Sequence, residues 1–169
     1  VEDFTVTAVA LDGYRIALVK KPLEDKAEKM SVIVPARSLN ELSRFLDEGD
    51  EVITVKVEQN FLMIDLGHTM IMTRLLSGEF INYKQIIPSE FDTNVIINKE
   101  QFKNSLDRAS ILSRGEKNNL VKIDIKENLL YLISASEDGA SLKESISINL
   151  VGKDMTIAFN VRYLLDCMK

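Results

Sequence analysis

The sequence predicts an α+β protein built from repeated β-α-β-β-β units, with amphipathic helices packed on antiparallel sheets. Three observations carry this expectation. The segment Ser31-Val32-Ile33-Val34-Pro35-Ala36-Arg37-Ser38-Leu39 is echoed by Asn94-Val95-Ile96-Ile97-Asn98-Lys99-Glu100-Gln101-Phe102 and by Thr156-Ile157-Ala158-Phe159-Asn160-Val161-Arg162-Tyr163-Leu164. Their anchors Pro35, Asn98 and Asn160 stand 63 and 62 positions apart, a near-constant period that marks an array of one supersecondary unit. Pro and Asn both suit a helix start and neither suits a central strand, so each echo reads as a strand entering a helix. Between the echoes, apolar and polar residues alternate at period two, the signature of half-buried strands.

Along the chain, Thr5–Val9 and Arg15–Val19 read as two strands joined through Asp12-Gly13, a hairpin-turn pair, with a charged loop following over Leu23–Lys29. The strand Val32–Val34 leads to a helix whose Leu39, Leu42 and Leu46 share a face beside Phe45, and which stops at Asp47-Glu48-Gly49-Asp50. Val52–Val57, Phe61–Leu66 and Thr69–Leu75 then read as strands, broken at Gln59-Asn60 and Gly67-His68. The second copy opens with Val95–Ile97 and a helix presenting Phe102, Leu106 and Ala109 on one face, with Ile111 and Leu112 near its end. A polar loop, Arg114–Asn119, leads to strands at Leu120–Ile125, Leu129–Ser134 and Leu142–Leu150, turning at Glu127-Asn128 and Glu137-Asp138-Gly139. The third copy begins at Met155 and extends through its helix, and the opening hairpin resembles the tail of another unit. The expectation is an internal piece of a longer protein, with a domain boundary dividing 1–89 from 90–169.

The bulk composition narrows the function. A 169-residue chain with 46% hydrophobic residues can bury a substantial core. No apolar run approaches a membrane span, so a cytoplasmic location is the expectation. The lone Cys167, with His68 the single histidine, supplies neither a disulfide framework nor a zinc cluster. No cofactor is expected. The formal net charge of −5 argues against simple electrostatic wrapping of nucleic acid.

Four motifs, Leu11-Asp12-Gly13-Tyr14-Arg15-Ile16-Ala17, Ser31-Val32-Ile33-Val34-Pro35, Gly78-Glu79-Phe80-Ile81-Asn82-Tyr83 and Phe159-Asn160-Val161-Arg162-Tyr163-Leu164-Leu165-Asp166, occur here in an order and on a repeat that resemble the beta subunits of bacterial DNA polymerase III, the beta sliding clamps. The resemblance spans essentially the whole chain. It implies the DNA-clamp fold, with this chain matching most of the middle domain and much of the third of three clamp domains. It also implies the role of a processivity factor, a non-catalytic accessory subunit in which two chains close a ring around duplex DNA. A ring that holds DNA by topology tolerates an acidic exterior, which removes the objection raised by the net charge.

The resemblance further assigns residues. Tyr14, Arg15, Ile16, Ile81, Ile86, Asn160 and Tyr163 match a pocket for short Gln/Leu/Phe-containing tails of the replicative polymerase, the clamp loader and repair proteins, lodged between the middle and third domains. Leu11, Ile81 and Gln85 depart from the family's common Thr, Pro and Arg. Arg37, Arg44, Lys103 and Arg108, on the faces of the repeat helices opposite their apolar residues, are the candidate DNA contacts. Ile111 and Leu112 match the apolar subunit contact of the homodimer. The residues by themselves also allow blander roles: core packing for the four isoleucines and Leu112, half-buried sheet aromatics for Tyr14 and Tyr163, solvated charges for the four cations.

Catalysis finds little support in the sequence. His68 falls in a turn, Cys167 reads as a buried structural thiol among Leu164, Leu165 and Met168, and the glycines form no phosphate-cradling loop. The alternative to a clamp is a non-catalytic protein-interaction scaffold with the same repeat and no DNA encirclement.

Overall fold

The computed structural model describes residues 1–46, 53–113, 119–136 and 138–169, and the chain divides into two compact units, Val1–Ile86 and Ile87–Lys169. In each unit helix packs on antiparallel sheet, as the alternating and helical patterns require.

The first unit opens with a long hairpin, β1 (Asp3–Leu11) against β2 (Ile16–Ala27). The Leu23–Lys29 segment is therefore not a loop for most of its length. β2 continues to Ala27, which pairs with Asp3 beyond an irregularity in the register, because the ladder satisfies its backbone groups whatever the charge of its side chains. Helix α1 (Ala36–Leu42) starts at Pro35 and ends earlier than the sequence suggests. Arg44 N and Phe45 N donate to the carbonyls three residues back, Glu41 and Leu42, so the helix tightens and stops instead of running to Leu46. Leu42 alone of the predicted face is buried, while Leu39 and Leu46 are 44% and 40% exposed. The helix meets the sheet through Leu42 and Ser38, whose hydroxyl lies 2.7 Å from that of Thr73. Val32–Val34 forms no strand; its one ladder contact is an isolated bridge from Ile33 to Leu76. The three-stranded sheet of β3 (Thr54–Glu58), β4 (Phe61–Asp65) and β5 (Met70–Arg74) supplies Leu62 and Ile64 to a small core with Leu42. Asp47–Asp50 and Val52 lie outside the described residues.

The second unit is a five-stranded antiparallel sheet in the order β10-β7-β8-β9-β6, from β6 (Thr93–Ile97), β7 (Leu120–Lys126), β8 (Leu129–Ala135), β9 (Ser141–Gly152) and β10 (Met155–Asn160). The opening strand of the third echo thus completes the second copy's sheet, pairing Ile157 with Ile123 and Phe159 with Val121. Helix α2 (Lys99–Leu112) starts where Asn98 Oδ1 accepts the Gln101 N–H at 3.0 Å. That bond satisfies one of the donors a helix start leaves open. Its buried face, Phe102, Ser105, Leu106 and Ala109, seals against Val121, Ile123, Leu130, Leu132 and Ile146. Ser134 donates its hydroxyl to Ala109 O, tying sheet to helix. Helix α3 (Val161–Cys167) is capped by Asn160, whose Oδ1 accepts the Arg162 N–H. Val161, Leu164, Leu165 and Met168 turn to the core at helical spacing, which carries Cys167 off that face and into solvent. The expected buried thiol is exposed.

Glu127 and Asn128 both adopt positive φ, 54° and 62°, the geometry of the tight turn between β7 and β8. Gly152, at φ 114°, packs so closely on Asp92 that a Cβ there would collide with the Asp92 carbonyl. No helix among the described residues is long and apolar enough to cross a membrane. Arg114–Asn118 and Glu137 lie outside the described residues.

Candidate peptide and nucleic-acid sites

The turn from β1 to β2 is organised by one carboxylate. Asp12 Oδ1 accepts the backbone N–H of Tyr14 at 3.1 Å and of Arg15 at 2.9 Å, while its Oδ2 takes the Arg15 guanidinium at 2.8 and 2.6 Å. These bonds, the Arg15 guanidinium first, hold the Asp12 carboxyl below its ordinary pKa. Gly13 takes the positive φ of 87° that the turn needs. The result lifts Tyr14 into solvent, 82% exposed, and leaves Arg15 and Ile16 half-buried beneath it. Tyr14 is consequently no half-buried sheet aromatic. Ile81 and Ile86 flank a 3-10 turn at Tyr83–Gln85 and are 51% and 48% exposed, so core packing is not their occupation. Asn160 and Tyr163 share the β10–α3 junction in the second unit, where the Asn160 side chain caps the helix and Tyr163 is half-buried. The seven residues thus fall into three local groups, two in the first unit and one in the second.

The candidate cations differ in how their charge is used. Arg37 is exposed in the first turn of α1, and Lys103 is half-buried on α2; neither has a carboxylate within ion-pair distance among the described residues. Arg44 follows the end of α1 and pairs with Glu41 at 3.0 Å. Arg108 makes a two-pronged bond to Glu144, Nε to Oε1 at 2.6 Å and a terminal nitrogen to Oε2 at 2.7 Å, and also donates to the Ser105 hydroxyl. The fork geometry raises the Arg108 pKa and lowers that of Glu144. Glu144 was not among the residues the sequence singled out. Its signal was present: Leu142, Glu144, Ile146 and Ile148 alternate on the core-facing side of β9, so a charge at 144 had to meet a partner there. The outermost ridge of α2, Glu100, Asn104, Asp107 and Ile111, is neutral to acidic. Ile111 is 62% exposed and so does not belong to the core, while Leu112 is half-buried.

The residues considered for chemistry do not assemble. His68 is exposed in its turn, Cys167 is exposed on α3, and no group of three or more His, Cys, Asp or Glu side chains among the described residues could hold a metal ion.

Comparison with known proteins matches the two units to two family models. Residues 1–82 match the central domain of the DNA polymerase III beta subunit, and residues 84–169 match its C-terminal domain. The chain belongs to the DNA polymerase III beta subunit family. Among curated beta subunits, the beta sliding clamps of Staphylococcus epidermidis and Staphylococcus aureus are 31% and 29% identical to it over 170 aligned residues, covering all of this chain and 45% of each relative. The chain therefore spans about half the length of the clamps it matches. Among solved structures, the sliding clamp from Bacillus subtilis superposes with a TM-score of 0.94 at 29% identity, over 99% of this chain and 45% of that one. A Pseudomonas aeruginosa sliding clamp bound to griselimycin gives a TM-score of 0.92 at 26% identity, over 99% and 46%. The α+β architecture expected from the repeat, and the clamp fold that the resemblance implies, are the fold observed.

Proposed function

We propose that this chain forms part of a ring-shaped sliding clamp, a processivity factor without a catalytic step of its own, which encircles duplex DNA and tethers the replicative polymerase. The observation that carries the reading is the match of both units, in order, to the central and C-terminal domains of the beta subunit. The domain boundary falls near residue 89. Partner tails of the polymerase, the clamp loader and repair proteins bind through Tyr14, Arg15, Ile16, Ile81, Ile86, Asn160 and Tyr163. The exposure of Tyr14, Ile81 and Ile86 supports this, since apolar anchors need accessible apolar surface.

Arg37, Arg44, Lys103 and Arg108 face the DNA. The ion pairs at Arg44 and Arg108 favour a lining that releases phosphates easily, because each phosphate competes with a carboxylate already in place. Ile111 and Leu112 dock a neighbouring chain in a homodimer. Beside this stands an open strand edge: β6 pairs with β9 only from Ile148 onward, leaving Ser141–Ser147 without a strand on that side among the described residues.

The test is retention of the assembled clamp carrying this sequence on circular and on linearised duplex DNA, at salt high enough to screen phosphate contacts. Retention on circles with loss from linear ends is the expected result. Equal loss from both, after loading onto circles at low salt, would leave a peptide-binding scaffold as the surviving reading.

A further inference from the structure

We propose that the outer face of the second unit's sheet carries an additional subsite for partner peptides, taking an apolar side chain and, two residues along, a carboxylate. The proposal rests on the peptide-binding reading above and extends it to residues flanking the tail's anchors. On β7, β8 and β10 the side chains pointing away from the core include Leu120 and Lys122, Ile133 and Ala135, and Ala158. The register sets Ala158 beside Lys122 and Lys122 beside Ile133. Two alanine methyls between larger neighbours leave a trough of about 400 Å³, walled by Leu120 and Ile133. Leu120 is 45% exposed there.

Two features say what occupies the trough. Lys122 has no carboxylate within ion-pair distance among the described residues, and the nearest acidic side chain on its strand face, Asp124, accepts the Thr156 hydroxyl at 2.6 Å. An ammonium beside apolar surface, with no carboxylate partner among the described residues, suits a ligand carboxylate. The trough also abuts the peptide residues, since Leu120 is the register partner of Asn160, which opens the helix bearing Tyr163. A peptide leaving those residues in extended form repeats its side-chain direction every second residue, about 6.6–7 Å, the same step that separates Leu120 from Lys122 along β7. An apolar side chain in the trough therefore places the residue two further on over the ammonium.

The test is fluorescence anisotropy of this chain with labelled Gln-Leu-Ser-Leu-Phe and with the same peptide extended by Leu-Ala-Glu at its amino or its carboxyl end. One extended peptide should bind roughly tenfold more tightly than the short one. Ala158→Arg, which fills the trough, and Lys122→Glu, which reverses its charge, should each cut that gain to under twofold, with short-peptide affinity as the folding control. Should Ala158→Arg fail that control, Lys122→Glu decides alone. A short peptide that binds while neither extension helps overturns the subsite and leaves the peptide reading standing, as does a gain that survives both variants. Binding of none of the peptides overturns both.

Discussion

Replacing Leu106 by Ala tests whether α2 is held by a sealed core. Leu106 is fully buried, in a cluster with Phe102, Ala109, Val121, Leu132 and Val161, four of which are also without exposed surface. Trimming it to a methyl forfeits roughly 2.4 kcal/mol of transfer free energy at about 0.8 kcal/mol per buried carbon. The cavity adds a further term, because a helix clamped between a sheet and α3 relaxes only in part, so the total comes to about 3–5 kcal/mol. Hydrogen exchange of α2, β7 and β8 amides reads this as an increase of roughly two to more than three powers of ten in the opening equilibrium. Ile111→Ala on the same helix, at a position 62% exposed, should stay within about 0.5 kcal/mol of the parent. A Leu106→Ala cost under about 1 kcal/mol would refute the sealed-core account.

Three further outcomes follow from the same structure. Asn98→Ala should cost about 0.5–2 kcal/mol in urea unfolding by orphaning the Gln101 N–H, and Asn98→Asp should restore most of it. Gly152→Ala should lower the melting temperature well beyond Gly139→Ala, since both glycines hold positive φ but only at 152 does a Cβ meet backbone, the Asp92 carbonyl. The Arg108 bonds hold the folded Glu144 carboxyl below its ordinary pKa, so the pair's contribution is complete above the unfolded carboxylate pKa of about 4.3 and is lost as acid titrates the folded group. Stability curves of the parent and Glu144→Gln should therefore differ at neutral pH and converge in strong acid; a difference that grows on acidification would contradict the pairing.

At the candidate sites, the turn at Asp12-Gly13 and the helix start at Asn160 were legible in the sequence, because each is made by neighbours along the chain: an Asp-Gly pair bonding its own backbone, an Asn capping the helix that follows it. Ile81 and Ile86 are candidates through the resemblance, but their exposure could not be read from it, since an isoleucine is equally at home in a core. Arg108 illustrates the opposite limit. Its charge and helix face were legible, yet its partner lies 36 residues away on β9, and only the packing of α2 across that strand brings the two within bonding distance.

The sequence by itself determined the repeat, the helix starts at Pro35, Asn98 and Asn160, and most strands to within a few residues, Val32–Val34 and the far end of β2 excepted, because caps, turns and period-two burial depend on residues close in the chain. Tertiary structure alone decided four things. It extended β2 through a charged stretch to Ala27, where pairing with β1 outweighs side-chain polarity. It drew β10 into the sheet of the preceding sequence copy, a backbone pairing that no local pattern encodes. It stopped α1 at Leu42 and left Leu39 and Leu46 partly in solvent, because a three-stranded sheet offers little area to cover. It set Cys167 outward, since the core took the opposite face of a two-turn helix. Each depends on which surfaces meet, and burial is a property of that meeting rather than of any residue alone.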